Sequence, residues 1–280
     1  MNRIQERFRD TAERGRASLV PYFTAAFPDA SATKALIRRA DEFGASVVEI
    51  GLPFSDSIAD GPVIQDSFHF CLANGYRTED TFRMVSEVRP DVACGLVAMV
   101  SYSVVHRFGL DAFMRRSAEA GFDGVILPDV PLEEASSTAE AAAGAGLCHI
   151  GLIAPSTPVP RARSIAQAST GFIYRIAVAG TTGERASLPA GLRDDVAELR
   201  RSSGLPVCVG FGISTAAQVR EVCTFADGAI VGSAIVRRIR DAMHSGQNSV
   251  SLVDSVSAFI GELMQGLDLR DGYVETQHLP

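Results

Sequence analysis

The chain has 280 residues, of which 46% are hydrophobic and 21% charged, a composition that supports a large core and excludes disorder. Its 26 basic and 33 acidic residues leave a net charge of −7 with no basic block, which argues against nucleic acid and membrane surfaces as partners. Divided over eight units, that length gives about 35 residues each, the size of one strand–loop–helix repeat of an eightfold barrel.

In chain order, residues 1–15 predict an N-terminal capping helix with Ile4, Phe8 and Ala12 on one side. Eight apolar runs then predict strands: 19–25, 46–51, 94–100, 123–127, 147–153, 171–176, 205–210 and 227–232. Their near-continuous apolarity fits parallel strands covered on both faces, and helical patterns alternate with them throughout. Examples are ATKALIRRADEF, LDAFMRRSAEAG and TAAQVREVC. Leu252, Val256, Phe259, Leu263 and Met264 keep helical spacing and predict a last packing helix. No linker divides the chain, so the expectation is a single (β/α)8 barrel domain over 1–268 with extra helices at both ends. A polar tail follows at 269–280.

The opening MNRIQERFRD lacks the apolar segment of a secretory signal, and no uncharged run is long enough to span a membrane. Cys71, Cys94, Cys148, Cys208 and Cys223 are scattered and share no C-x-x-C spacing, which predicts buried thiols in a reducing cytoplasm. Lys34, the only lysine, lies in a helical pattern and is badly placed for imine chemistry. The five histidines never pair at ligand spacing, so no metal is expected, nor any other cofactor.

In such a barrel the site is built from the carboxyl ends of the strands and the loops that follow them. Glu49 ends the second strand, its loop carries Asp56 and Asp60, and Asp129 ends the fourth strand. An acid at a strand end is costly to desolvate unless it has a partner or a task. The loops after the last three strands are glycine-rich, with Gly183, Gly212 and Gly232, and Ser233 opens the final barrel helix. Glycines and free helix N–H groups at these strand ends form an anion cradle, so phosphate binding is expected.

Five segments carry a family resemblance: VVEIGLPFSDSIADGPVIQ (47–65), FGLDAFMRRSAEAGFDGVILPDVPLEE (108–134), GLIAPSTP (151–158), AGTTG (179–183) and GFGIS with ADGAIVGSAIV. In them the chain resembles the tryptophan synthase alpha subunit, in register from about Val20 to about Ile239. The resemblance implies a TIM barrel that cleaves indole-3-glycerol phosphate into indole and glyceraldehyde 3-phosphate. It implies Glu49 and Asp60 as the catalytic residues. It also implies that Gly183, Gly212, Gly232 and Ser233 hold the phosphate, that Phe211 and Tyr174 border the indole, and that Tyr102 and Thr182 belong to the substrate site. A retro-aldol break needs a proton delivered to indole C3 and another removed from the side-chain hydroxyl. Glu49 would do both, while an ionised Asp60 accepts the indole N–H.

The sequence also departs from the family pattern. Ser57 replaces a usual proline, Thr24-Ala25-Ala26-Phe27-Pro28 replaces T-x-G-D-P, Ser101-Tyr102-Ser103-Val104 replaces Y-x-N-P, and Ala177 replaces a serine. Several of these positions fall where the family meets its beta subunit, so that expected partner surface has diverged while the acids are kept. Two further readings stand beside the lyase: a barrel enzyme acting on another phosphorylated metabolite, and a non-catalytic regulatory paralogue.

Overall fold

The eight apolar runs become the strands β1 (Ser18–Thr24), β2 (Val47–Gly51), β3 (Gly95–Met99), β4 (Gly124–Ile126), β5 (Cys148–Ile153), β6 (Ile173–Ile176), β7 (Val207–Gly210) and β8 (Gly228–Val231). They close in sequence order into one parallel barrel, β8 pairing with β1 through Ser18 and Gly228 to Pro21 and Val231. The structure is a computed structural model that describes residues 2–57, 60–130, 134–177, 188–210 and 212–267. β1 is shifted by one residue from the sequence pattern, and each of the other strands is trimmed by one or two. β4 is the shortest, because Pro128 has no N–H with which to continue its ladder.

The helices among the described residues are α1 (Arg3–Glu13), α2 (Ala30–Glu42), α3 (Pro62–Ala73), α4 (Thr78–Val88), α5 (Tyr102–Phe108), α6 (Leu110–Ala120), α7 (Ala135–Gly144), α8 (Val159–Ala168), α9 (Leu192–Ser203), α10 (Ala216–Cys223), α11 (Ser233–His244) and α12 (Ser249–Met264). Two helices follow β2, β3 and β8; the rest alternate singly with strands. Because strand side chains alternate, one parity of each strand packs outward against the helices. The other parity fills the barrel interior with Val20, Val47, Val97, Ile126, Ile150, Phe172, Cys208 and Ile230.

The amino ends of the strands are sealed by α1. Its N-cap Asn2 makes a capping box with Gln5 and also donates to the Asp123 carbonyl at 2.8 Å. Arg3 at 2.6 Å, Arg89 at 3.0 Å and the Leu96 N–H at 2.8 Å converge on the Asp123 carboxylate. Ile4 then drops into the barrel floor, where a Cβ at Gly95 or Gly124 would stand 2.8 or 2.9 Å from its side chain. Phe8 packs on Phe172 with ring centroids 5.3 Å apart, whereas Ala12, expected on the same face, is exposed. In the third turn the contact passes to Thr11, whose hydroxyl lies 3.3 Å from Ser18 Oγ and 3.4 Å from Ser46 Oγ, so Ala12 is turned to solvent. With the floor plugged, the barrel opens only at the carboxyl ends of its strands.

At the other terminus, α12 buries Leu252, Val256, Phe259 and Leu263 as its periodicity predicts. The tail expected at 269–280 lies outside the described residues. All five cysteines are free and buried, and Lys34 sits on α2, paired with Glu87 of α4 at 2.5 Å. Among the described residues, no helix is long and apolar enough to cross a membrane.

Candidate active site

On β2 the inward parity is Val47, Glu49, Gly51, and it carries an acid into the barrel interior. Glu49 is 1% exposed, pairs in register with Tyr22 of β1 and Val97 of β3, and its Oε1 has no hydrogen-bond partner among the described residues. Burial, and after it the charge of Asp60, pushes its carboxyl up to about 8. Asp60 lies in the turn that leads into α3. Its N–H donates to the Ser57 carbonyl at 3.0 Å, and Gln65 Nε2 donates to the Ser57 and Asp60 carbonyls at 2.9 Å each. Burial first, then Asp129, raises Asp60 to about 6. The shift is larger for Glu49 than for Asp60, which favours a protonated Glu49 with an ionised Asp60 near neutral pH. Two carboxyl groups pushed apart in this way form an acid and an anion side by side.

Two tyrosines complete the interior. Tyr22, 5% exposed, lays its hydroxyl where a Gly51 Cβ would be, 1.9 Å from that position. Tyr174 on β6, 4% exposed, does the same at Gly210, whose Cβ would meet the Tyr174 ring and hydroxyl at 2.6 Å. These two glycines exist to admit the rings. Both phenols are held well above their ordinary value, chiefly by burial and then by the acids: Asp60 leads for Tyr22, and Glu49 for Tyr174. Half-buried Met99, Leu152 and Ile176 pack on the same interior cluster at the carboxyl ends of β3, β5 and β6. The result is a chamber with apolar walls and polar phenol edges, suited to a flat aromatic group.

The expected anion side lies across the mouth. Gly212 follows β7 with a φ of 86°, a conformation that favours glycine. Gly232 is the N-cap of α11, Ser233 its first residue, and no side chain caps that helix. Thr182, Gly183 and Phe211, also expected at the site, lie outside the described residues.

Of the other acids, Asp56 is exposed and, among the described residues, accepts only from its neighbour Ser55 at 3.1 Å. Asp129 accepts from Ser101 Oγ at 2.6 Å and the Tyr102 N–H at 2.7 Å, so it caps α5 and reaches the chemistry only through its charge on Asp60. Tyr102 begins α5 half-buried, and its hydroxyl bonds Glu134, strapping the loops after β3 and β4 together rather than joining the tyrosine pair. Sequence reasoning overlooked Tyr22, Met99, Leu152 and Ile176. Register supplies the missing signal: Tyr22 pairs with Glu49, Met99 with Gly51, and Leu152 with Tyr174.

The departures also have structural consequences. Ala26 takes a φ of 60° where the family pattern has glycine, Ser57 is 4% exposed, and Ala177 is 2% exposed at the end of β6.

Fold and site together define a TIM barrel with buried, shifted carboxyls at the carboxyl ends of its strands. Comparison narrows that class to one family. The family model described as Tryptophan synthase alpha chain matches residues 8–266. The Tryptophan synthase alpha chain of Rhodopirellula baltica is 37% identical over 276 residues, covering 96% of this chain and 99% of that one. That of Chloroflexus aurantiacus is 40% identical over 268 residues, covering 95% and 99%. Among solved structures, the alpha chain from Legionella pneumophila subsp. pneumophila superposes with a TM-score of 0.86 at 31% identity over 98% of this chain and 100% of that one. A Mycobacterium tuberculosis tryptophan synthase chain gives 0.85 at 32% identity, over 96% and 99%. The chain belongs to the tryptophan synthase alpha chain family, whose reaction is the cleavage of indole-3-glycerol phosphate to indole and glyceraldehyde 3-phosphate.

Proposed function

We propose that Glu49 and Asp60 are the acid–base pair through which this chain cleaves indole-3-glycerol phosphate. The observation that carries the reading is a carboxyl 1% exposed inside the barrel with an unpartnered Oε1, and burial raises it further than it raises Asp60. Protonated Glu49 delivers its proton to indole C3, and the ring takes up positive charge. Ionised Asp60 accepts the indole N–H and stabilises that charge. The Glu49 carboxylate then removes the proton of the side-chain hydroxyl. The carbon–carbon bond breaks, its electrons restore the indole, and the aldehyde of glyceraldehyde 3-phosphate forms with Glu49 protonated again. Tyr22, Tyr174, Met99 and Leu152 wall the indole, and the Gly212, Gly232 and Ser233 loops receive the phosphate together with Thr182 and Gly183.

A beta subunit is the partner this family membership brings. The groove at the mouth, about 670 Å³ and lined by Phe54, Asp56, Ser103, Val104, Arg107 and Phe108 among others, holds two of the departing residues. We take this chain as one whose dependence on that partner has weakened. Five buried thiols favour the cytoplasm as its compartment. The test is indole release from indole-3-glycerol phosphate by the purified chain, repeated with Glu49→Gln and Asp60→Asn. Full turnover in either variant would overturn the assignment.

A further inference from the structure

Three helices end beside the plugged floor of the barrel, at the side away from the mouth. The C-caps Arg14 of α1, Phe43 of α2 and Gln265 of α12 all line one cavity of about 360 Å³. That volume falls within the range of small-molecule sites. Ala17 and Ser46, which precede β1 and β2, line it as well, so it lies at the amino ends of the strands. Two of its walls are glycines. A Cβ at Gly261 would already touch Phe43 Cζ at 3.7 Å, and one at Gly44 would touch Met264 Cε at 3.8 Å. Phe43 is 42% exposed, among the large apolar side chains that the described residues leave open.

The polar lining carries both signs. Arg7, Arg14 and Arg16 stand with one acid, Asp10, a local excess of positive charge in a chain of net −7. A guanidinium has five N–H donors, yet that of Arg7 donates no hydrogen bond among the described residues. Its Nη2 stands 3.6 Å from Asp41, past hydrogen-bond reach, and its Nε is buried without a partner. Asp41 is taken up by the Ala93 and Cys94 N–H groups at 3.1 and 2.7 Å. The side chains of Arg14 and Asp10 likewise form no ion pair or hydrogen bond among the described residues. Donors and an acceptor around an open, partly apolar cavity thus keep their bonding capacity.

We propose that this cavity is a binding site for an α-amino acid with an apolar side chain. Its carboxylate pairs with the guanidinium groups of Arg14 and Arg7, whose forks match two oxygens. Its ammonium goes to Asp10 and to the partial negative charge where the three helices end. Its side chain lies against Phe43 and Met264. A simple carboxylate leaves Asp10 and the helix ends without a cation, and a simple amine leaves the arginines without an anion; a zwitterion answers both. An occupant here ties α1, the plug of the barrel floor, to α2 and α12. The site stands apart from Glu49 and Asp60 and does not rest on their reading.

The experiment is calorimetric titration of the purified chain with L-phenylalanine and L-leucine, beside two probes that each lack one charge, 3-phenylpropanoate and 2-phenylethylamine. The expected result is saturable binding of at least one of the amino acids with a Kd near or below about 1 mM, and a melting temperature that rises with its concentration. Each single-charge probe binds roughly tenfold more weakly than L-phenylalanine. Arg14→Gln and Asp10→Asn each weaken amino-acid binding by a similar factor, and Gly261→Leu, which extends a side chain into the cavity, abolishes it. Circular dichroism melts establish that the variants are folded. Gly232→Asp, aimed at the phosphate loops, keeps the binding; its loss there would place the amino acid in the chamber and overturn the proposal. Absence of saturable binding below about 10 mM, equal binding of 3-phenylpropanoate, or affinity unchanged in both Arg14→Gln and Gly261→Leu would overturn it as well.

Discussion

Glu49 is raised on folding from an ordinary 4.5 to about 8, and Glu49→Gln exposes what that costs the fold. A group whose value rises on folding holds its proton more tightly in the native chain. Its contribution is fully present below the unfolded value and is lost as pH rises through the folded one, here between about 4.5 and about 8. At pH 7 the unfolded carboxyl has passed its midpoint by about 2.5 pH units while the folded one is still protonated. At about 1.36 kcal/mol per unit, the wild type has then lost about 3 kcal/mol of stability, and by pH 9 about 5 kcal/mol. Glutamine keeps the shape and removes the charge. Relative to wild type, Glu49→Gln is therefore expected to gain about 3 kcal/mol between pH 4.5 and 7, and about 5 kcal/mol by pH 9. Urea unfolding followed by circular dichroism at four pH values, with unchanged m-values, measures this. The burial penalty of the amide is the same at every pH, so the slope carries the argument and the intercept does not. A stability difference that is flat with pH would refute the raised carboxyl.

The same variant and Asp60→Asn should each lower turnover by roughly 10²–10⁴-fold with substrate binding largely kept, as read by single-turnover and equilibrium binding measurements. Wild-type kcat/KM should peak between about pH 6 and about pH 8, rising as Asp60 ionises and falling as Glu49 does; a profile flat through that window would contradict both assignments. Gly232→Asp should weaken binding of glycerol phosphates in calorimetry without unfolding the chain, because a Cβ there meets nothing closer than 3.5 Å and φ is −112°. Ala26→Gly should stabilise by about 0.5–1 kcal/mol in thermal melts, since relief of a left-handed alanine outweighs the added freedom of the unfolded chain. Adding an ordinary tryptophan synthase beta subunit should stimulate indole formation little; strong stimulation with a stable mixed complex on gel filtration would restore full partner dependence.

The barrel was legible because parallel strands buried on both faces leave unbroken apolar runs, and all eight runs became strands in order. Glu49 stood out as a charge at the end of such a run, whereas Asp60, in the loop beyond β2, was singled out by the family resemblance. The same continuity hid the rest of the chamber. In LVPYFT every residue is apolar or small, so nothing in the run tells that Tyr22 faces inward and Phe23 outward; only the pairing of Tyr22 with Glu49 does. Three acids followed strands 2 and 4 alike, yet only Asp60 is half-buried in the chamber, while Asp56 is exposed and Asp129 caps a helix. Spacing along the chain carries no information about which of them a helix N-terminus will claim. Ala12 failed because spacing fixes a face only to within a residue: after Ile4 and Phe8 the buried face continues at Thr11.

Tyr22 over Gly51 and Tyr174 over Gly210 explain how a barrel interior becomes a reaction chamber without losing its packing. An empty mouth lined by strands would fill with water, and water would return both acids to ordinary values. Large rings laid across glycine backbones exclude it while leaving polar edges toward the acids. The arrangement couples the pieces tightly. A methyl group at residue 51 would strike the Tyr22 hydroxyl and displace a ring that pairs in register with Glu49. The mouth loops stand in a different relation. Ser103 and Val104 line the groove, yet Ser103 lies 2.8 Å from Ser101 Oγ, and Ser101, another departure from the family pattern, donates to Asp129, whose charge acts on Asp60. Change on the groove side is thus connected, through Ser101 and Asp129, to the electrostatics of Asp60.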